Sequence, residues 1–161
     1  MSKILLPVAC SVLIAAAAIA QTRTVEITDA WARATPGTAT NGAAYLTIES
    51  PTADRLTGVS TPVAKQAELH RMTLADGIMT MRPLAAIDLP AGQPVTLKPG
   101  ALHIMLVGLS APLRAGQTFP LMLRLENGGT REITVAVEKP GAMRPEGHTG
   151  AGMHMPTQKH H

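Results

Sequence analysis

The stretch Leu102–Val107, LHIMLV, sets a histidine and a methionine two residues apart in an otherwise apolar run. Along a β-strand, side chains at i and i+2 point to the same face. Leu102, Ile104 and Leu106 therefore share one face, and His103 and Met105 share the other. The first face reads as core. The second is a poor packing surface and a good donor set for a soft metal ion. The pattern recurs twice: HRM puts His70 and Met72 on one face of a strand, and MTM puts Met79 and Met81 on one face of the next. Where these faces converge, two imidazoles and several thioethers meet. Thioether sulfur is soft and uncharged and favours Cu(I). Zinc, calcium and magnesium prefer harder or anionic ligands, and no carboxylate pattern suits them. Methionine does not titrate, so any pH dependence of binding rests on the histidines.

Packing accounts for part of the methionine content. Methionine is an ordinary core filler. Met122, in PLMLRL, is expected in the core. Met72 and Met79 suit core or supporting packing as well as they suit ligation. Glu68 lies on the same strand face as His70 and is placed to accept a hydrogen bond from its ring, fixing its orientation. Trp31 and Tyr45 are expected to pack in the core or at an edge.

The elements that must position these residues are short strands. From residue 24 to 138, β-like runs alternate with turn residues: TVEIT, AAYLTIES, RLTGVS, AELHRMTL, GIMTMRPL, QPVTLK, ALHIMLVGL, FPLMLRLE and REITVAVEK. Asp76-Gly77 and Asn127-Gly128 are hairpin signals, and Pro99-Gly100 marks a tight turn. No window has a sustained helical period, and there is no internal repeat. Many short strands at regular spacing predict an all-β antiparallel sandwich or barrel.

Both ends differ from this domain. Residues 1–20 carry a lone charge at Lys3, an apolar run and small residues ending in Ala18 and Ala20, the pattern of a secretory signal peptide cut before Gln21. The only cysteine, Cys10, lies in that leader. The exported chain then has no disulfide, no thiolate nucleophile and no thiolate metal ligand. Residues 21–138 form the expected domain. Residues 139–161 are rich in glycine and proline, lack any β pattern and read as a flexible tail. That tail holds Met143, His148, Met153, His154, Met155, His160 and His161, a candidate second copper site on one segment. Net charge is +3 and the charges are scattered, with one Trp, one Tyr and one Phe. Nucleic-acid binding needs clustered cations and stacking rings, and the sequence has neither. No hydrolase triad or pair of catalytic carboxylates is evident, so the expectation is a binding protein and not an enzyme.

His70, ten residues, Met81, twenty-one residues, His103, one residue, Met105: this arrangement resembles the signature of the periplasmic copper chaperones of the PCu(A)C family. Its surroundings resemble that family too, in AELHRM, DGIMTMRPL, LPAGQPVTLKPGALHIMLVGL and ITDAWARATPGTATNGAAYLTI, over roughly residues 24–138. The resemblance implies a cupredoxin-like β-sandwich that binds one Cu(I) through His70, Met81, His103 and Met105. It implies delivery of copper to the Cu(A) centre of cytochrome c oxidase subunit II, directly or with a thiol-based copper chaperone. It also implies a periplasmic protein, here expected to be a monomer with no membrane association once the leader is removed. Met/His-rich extensions in some members are described as a further site that takes Cu(II). The alternative is copper sequestration for tolerance, with the same ligands and no oxidase acceptor. A blue-copper electron carrier is excluded by the missing cysteine ligand.

Overall fold

The computed structural model describes residues 24–144. The expected leader lies outside the described residues, and so do His148, Met153, His154, Met155, His160 and His161. Ten strands follow one another: β1 (Glu26–Arg33), β2 (Asn41–Glu49), β3 (Asp54–Ser60), β4 (Ala64–Ala75), β5 (Ile78–Leu84), β6 (Ile87–Leu89), β7 (Val95–Leu97), β8 (Leu102–Leu109), β9 (Thr118–Leu125) and β10 (Thr130–Glu138). They hydrogen-bond in the order β5-β4-β8-β2-β1-β10-β9-β3-β6, with β7 against β2. The expected all-β, cupredoxin-like sandwich is what forms. All ladders between strands are antiparallel except one: β1 and β10 pair in parallel, Trp31 opposite Ala136, and this pair joins the two halves of the sandwich.

The core lies between those halves. Ile104 and Leu106 of β8, Leu69 of β4 and Ala44, Leu46 and Ile48 of β2 cluster with Leu121, Leu123 and Leu125 of β9, Leu56 of β3 and Ile87 and Leu89 of β6. Each strand contributes alternate residues, as the period of two requires. Burying a Leu or Ile fully contributes about 1.5–3 kcal/mol, and in the absence of disulfides this cluster holds the domain.

Three local features depart from the sequence reading. β1 runs on through Trp31–Arg33, past a register shift between Thr28 and Trp31. Asp29 there has φ of 52°, a bulge that no turn residue announces. Met122 is half-buried on the outer face of β9, not in the core, because Leu121 and Leu123 take the inward positions. Asn127-Gly128 does sit in the β9–β10 hairpin, but Gly129 has the positive φ, 71°. The loop is held by Asp54: its carboxylate accepts the backbone N–H groups of Arg55 at 2.7 Å, Asn127 at 2.9 Å and Gly128 at 2.8 Å. Burial would raise the Asp54 pKa, but these donors together outweigh it and hold the carboxyl below its ordinary value.

The two other turns form as expected, and both set the course of β4, β5 and β8. Asp76 and Gly77 both have positive φ, 52° and 76°, the two left-handed positions of a type I′ turn. Lys98–Ala101 forms a turn closed by Ala101 N–H to Lys98 O at 3.1 Å, with Gly100 at φ 78° in the position where a type II turn demands glycine. Nothing lies within 4 Å of a Cβ added at Gly100, so only the backbone resists a side chain there. Gly100→Ala is expected to lower stability by about 1–2 kcal/mol. Urea unfolding checks this, and the transition should stay cooperative.

Candidate metal centre

The centre is built on the outer face of β5, β4 and β8. In the β4–β8 ladder His70 stands opposite His103, and Glu68 stands opposite Met105. In the β4–β5 ladder Met72 stands opposite Met81, and Leu74 opposite Met79. Residues directly opposite share a face, so Glu68, His70, Met72, Met79, Met81, His103 and Met105 all project from one side of the sheet. The Asp76-Gly77 turn makes this possible by returning β5 in register along β4.

Within that set the contacts are specific. The His70 and His103 ring centroids are 5.8 Å apart. His103 is 5 % exposed; its Nδ1 donates to the carbonyl of Ala101 at 3.1 Å, and its Nε2 lies 3.3 Å from Met81 Sδ. A carbonyl oxygen only accepts, so the Nδ1 carries the proton and the Nε2 of the neutral ring is bare. Its lone pair therefore faces a thioether sulfur, with no proton between them. His70 shows the complementary arrangement. Its Nε2 donates to Glu68 Oε2 at 2.8 Å, while its Nδ1 is buried and has no hydrogen-bond partner. A buried orphan nitrogen is costly in a structure held only by packing. Here it lies on the face that carries the bare His103 nitrogen and the Met81 sulfur.

Met105 is half-buried and flanks His103 on the side toward Glu68. Met81 and Met79 are 46 % and 54 % exposed, which leaves the thioether side of the centre open to solvent. Met72 is half-buried between His70 and the hairpin end. Met79 lies one position further out, beside exposed Leu74 and Ile78. Of the seven residues singled out on these strands, the structure joins His103 to Met81 and His70 to Glu68 by direct contact. Met72, Met79 and Met105 share their face. Of the tail residues, Met143 alone is among those described. It is exposed, and its sulfur accepts from Arg33 Nη2 at 2.9 Å, away from the two histidines in sequence and on a different part of the sheet.

The Ala101 carbonyl is the part that residue types do not reveal. It also accepts the backbone N–H of Met72 at 3.0 Å, so it ties β4 to the start of β8 and orients the buried ring together. The Pro99-Gly100 turn sets its direction. Trp31 and Tyr45 are buried packing residues, as expected. They stack at a centroid separation of 4.5 Å and are buried, yet stand outside the main core cluster. Their neighbours Ala32 and Ala44 face the core, so the two rings pack on the outer face, beside the metal centre.

The donor set is two imidazoles with uncharged sulfur. Among the described residues no three of His, Cys, Asp and Glu come together as a metal cage. That excludes a carboxylate-rich site for calcium or magnesium within them and leaves the soft-ligand chemistry anticipated above.

Known proteins resemble the chain over this domain. Residues 25–137 match the family model described as "Putative lipoprotein LpqE-like". The chain is 32 % identical over 117 residues to "Putative lipoprotein Lxx21020" of Leifsonia xyli subsp. xyli, covering 71 % of this chain and 69 % of that one. Among solved structures it is similar to the copper-bound PCuAC domain from PmoF2, at 28 % identity and a TM-score of 0.62, over 73 % of this chain and 95 % of that one. It is also similar to Cu(I)-bound DR1885 from Deinococcus radiodurans, at 31 % identity and a TM-score of 0.55, over 74 % and 83 %.

Burial lowers the pKa of His103 below its ordinary 6.5, the Ala101 hydrogen bond works the other way, and His70, when it takes up a proton, adds to the lowering. The folded ring thus binds a proton less readily than the unfolded chain does. Its contribution to stability is fully present above about 6.5 and is lost as pH falls through the folded pKa. A proton NMR titration of the ring should give a midpoint below 6.5. A midpoint at or above that value contradicts the burial argument.

Proposed function

We propose that this chain, which belongs to the LpqE-like family, is an exported Cu(I) chaperone that binds one ion through His70, Met81, His103 and Met105. The observation that carries this reading is the pair of bare, buried imidazole nitrogens, one of them 3.3 Å from Met81 Sδ. Two lone-pair donors at that distance with no proton between them are stabilised by a cation. Four neutral ligands leave Cu(I) its single charge, which limits the cost of burying it. The naming of two structural relatives as copper-bound and Cu(I)-bound supports the choice of metal.

The open thioether side supports release as well as capture. A sulfur that is half exposed exchanges for an incoming ligand without unfolding the domain. Glu68 and the Ala101 carbonyl hold the two rings while this happens, so the histidines are the fixed wall and the methionines the moving one. The acceptor we propose is the Cu(A) centre of cytochrome c oxidase subunit II, reached directly or with a thiol-based chaperone, in the periplasm. Met143, His148, Met153, His154, Met155, His160 and His161 form a second set that takes copper in excess, including Cu(II). In this reading Met72 and Met79 support Met81 or serve as extra ligands to the ion.

An anaerobic Cu(I) titration against a chromophoric chelator tests the domain site. The full chain should bind one tight equivalent at the domain. His103→Ala should weaken that equivalent by more than about 100-fold, beyond the effect of altering an outer contact. Met122→Leu, outside the centre, should leave it unchanged. Equal loss in the two variants, or none in His103→Ala, contradicts the assignment. A deletion strain that keeps full oxidase activity and becomes copper-sensitive would replace delivery by sequestration.

A further inference from the structure

Past the metal centre the β4–β5 hairpin runs on as a free ribbon. The β4–β8 ladder ends at Arg71 opposite Leu102, and the bond from Met72 N–H to Ala101 O is the last tie on that side. β5 ends the strand order of the sheet. From Thr73 to Thr80 the ladder partners therefore lie within the hairpin itself. Ala75, at the turn, is four positions beyond Arg71, a further reach of about 13 Å. Among the described residues the large apolar side chains left exposed are Leu74, Ile78, Met79, Met81 and Met143, and all but Met143 are on this ribbon.

The ribbon has two faces. Leu74 opposite Met79 continues the metal face outward from Met72 and Met81. The other face carries Arg71 opposite Arg82, then Thr73 opposite Thr80, then Ala75 opposite Ile78. The two threonine hydroxyls bond to each other at 3.0 Å. The two arginines have no such tie. Both are exposed, and neither joins an ion pair among the described residues. Side chains directly opposite start from Cβ atoms about 5 Å apart, and like charges there destabilise a sheet. The domain alone thus leaves two opposed cations unanswered at the root of the ribbon whose other face holds Met81.

We propose that this ribbon is a docking prong for the copper acceptor, entering an acidic cleft whose carboxylates grip Arg71 and Arg82 while its apolar wall covers Leu74 and Ile78. This rests on the chaperone reading above. Two arginines side by side with no acid of their own are complementary to a pair of carboxylates, each of which an arginine can hold with two hydrogen bonds. A two-stranded ribbon offers both faces at once, so what receives it is a cleft and not a flat surface. With the arginine face held, the metal face is turned to the opposite wall. There an incoming ligand meets Met81, whose side chain is exposed. A second copy of this chain does not fit the prong, because two ribbons together set four arginines against one another. An anionic membrane does not fit it either: Asp76 stands in the turn at its tip and would meet the lipid phosphates first.

The experiment follows binding of the full chain, loaded with one Cu(I) under anaerobic conditions, to the immobilised copper-free Cu(A) domain of oxidase subunit II from the same organism, at low and high salt. Association of the natural chain should slow as salt rises. The double change Arg71→Gln, Arg82→Gln should lower the low-salt association rate about tenfold and flatten the salt dependence. The double change Leu74→Ser, Ile78→Ser should speed dissociation about fivefold or more. Both variants should keep their one Cu(I) against bicinchoninate, which separates docking from the metal site. Arg71→Gln alone should hold or raise the urea midpoint, since it removes one of two opposed like charges; a fall gives the pair a structural role and overturns the prong. Rates that neither double change alters overturn the prong and leave the acceptor in place. No binding by the natural chain overturns the acceptor reading, and the prong with it. Capture of the natural chain by phosphatidylglycerol vesicles, lost in the arginine variant, puts a membrane in the acceptor's place and overturns the proposal.

Discussion

The site depends on which nitrogen of His103 carries the proton. The hydrogen bond from Nδ1 to the Ala101 carbonyl decides it. With the proton there, the Nε2 lone pair is available and aimed at Met81; with the proton on Nε2, the same ring in the same place would be a donor to sulfur and no ligand. Burial reinforces the choice by keeping the ring neutral. Everything else in the outer face is arranged around a ring held in this state.

That hydrogen bond is in turn a product of strand and turn geometry. The period of two puts Ile104 and Leu106 into the core, and the same period turns His103 and Met105 outward. The core therefore fixes the backbone of β8 from one side while His103 and Met105 project from the other. The Pro99-Gly100 turn brings Ala101 back over β4, where its carbonyl meets both the Met72 amide and the His103 ring. The Asp76-Gly77 turn does the same service for Met81 by fixing the register of β5 on β4. Rigidity is concentrated on the imidazole side. The thioether side is open, as a centre that gives up its cargo requires.

Much of this is legible in residue types and spacing. Alternation marks the strands, Asp-Gly and Pro-Gly mark the turns beside the centre, and HxM and MxM mark the shared face. Glu68 emerges from the same alternation, and its contact with His70 is present. The rest has no local signature. A carbonyl acceptor is the same in every residue, so Ala101 is invisible in sequence. Asp54 looks like any surface aspartate until the fold brings the β9–β10 loop to it. The bulge at Asp29 carries β1 on through Arg33, and only the resulting register reveals that Arg33 and Tyr45 lie on the same side of the sheet as the His/Met face. Met122 defies its expected core position because an apolar run does not say which of its alternate members turns inward.

The central claim is that imidazole nitrogen and thioether sulfur from three adjacent strands share one ion. Copper K-edge absorption on the full chain loaded with one Cu(I) tests it most directly. The account predicts a mixed shell of nitrogen and sulfur, with the sulfur contribution reduced in Met81→Leu. A shell of nitrogen and oxygen alone, or a sulfur contribution indifferent to Met81, would contradict it.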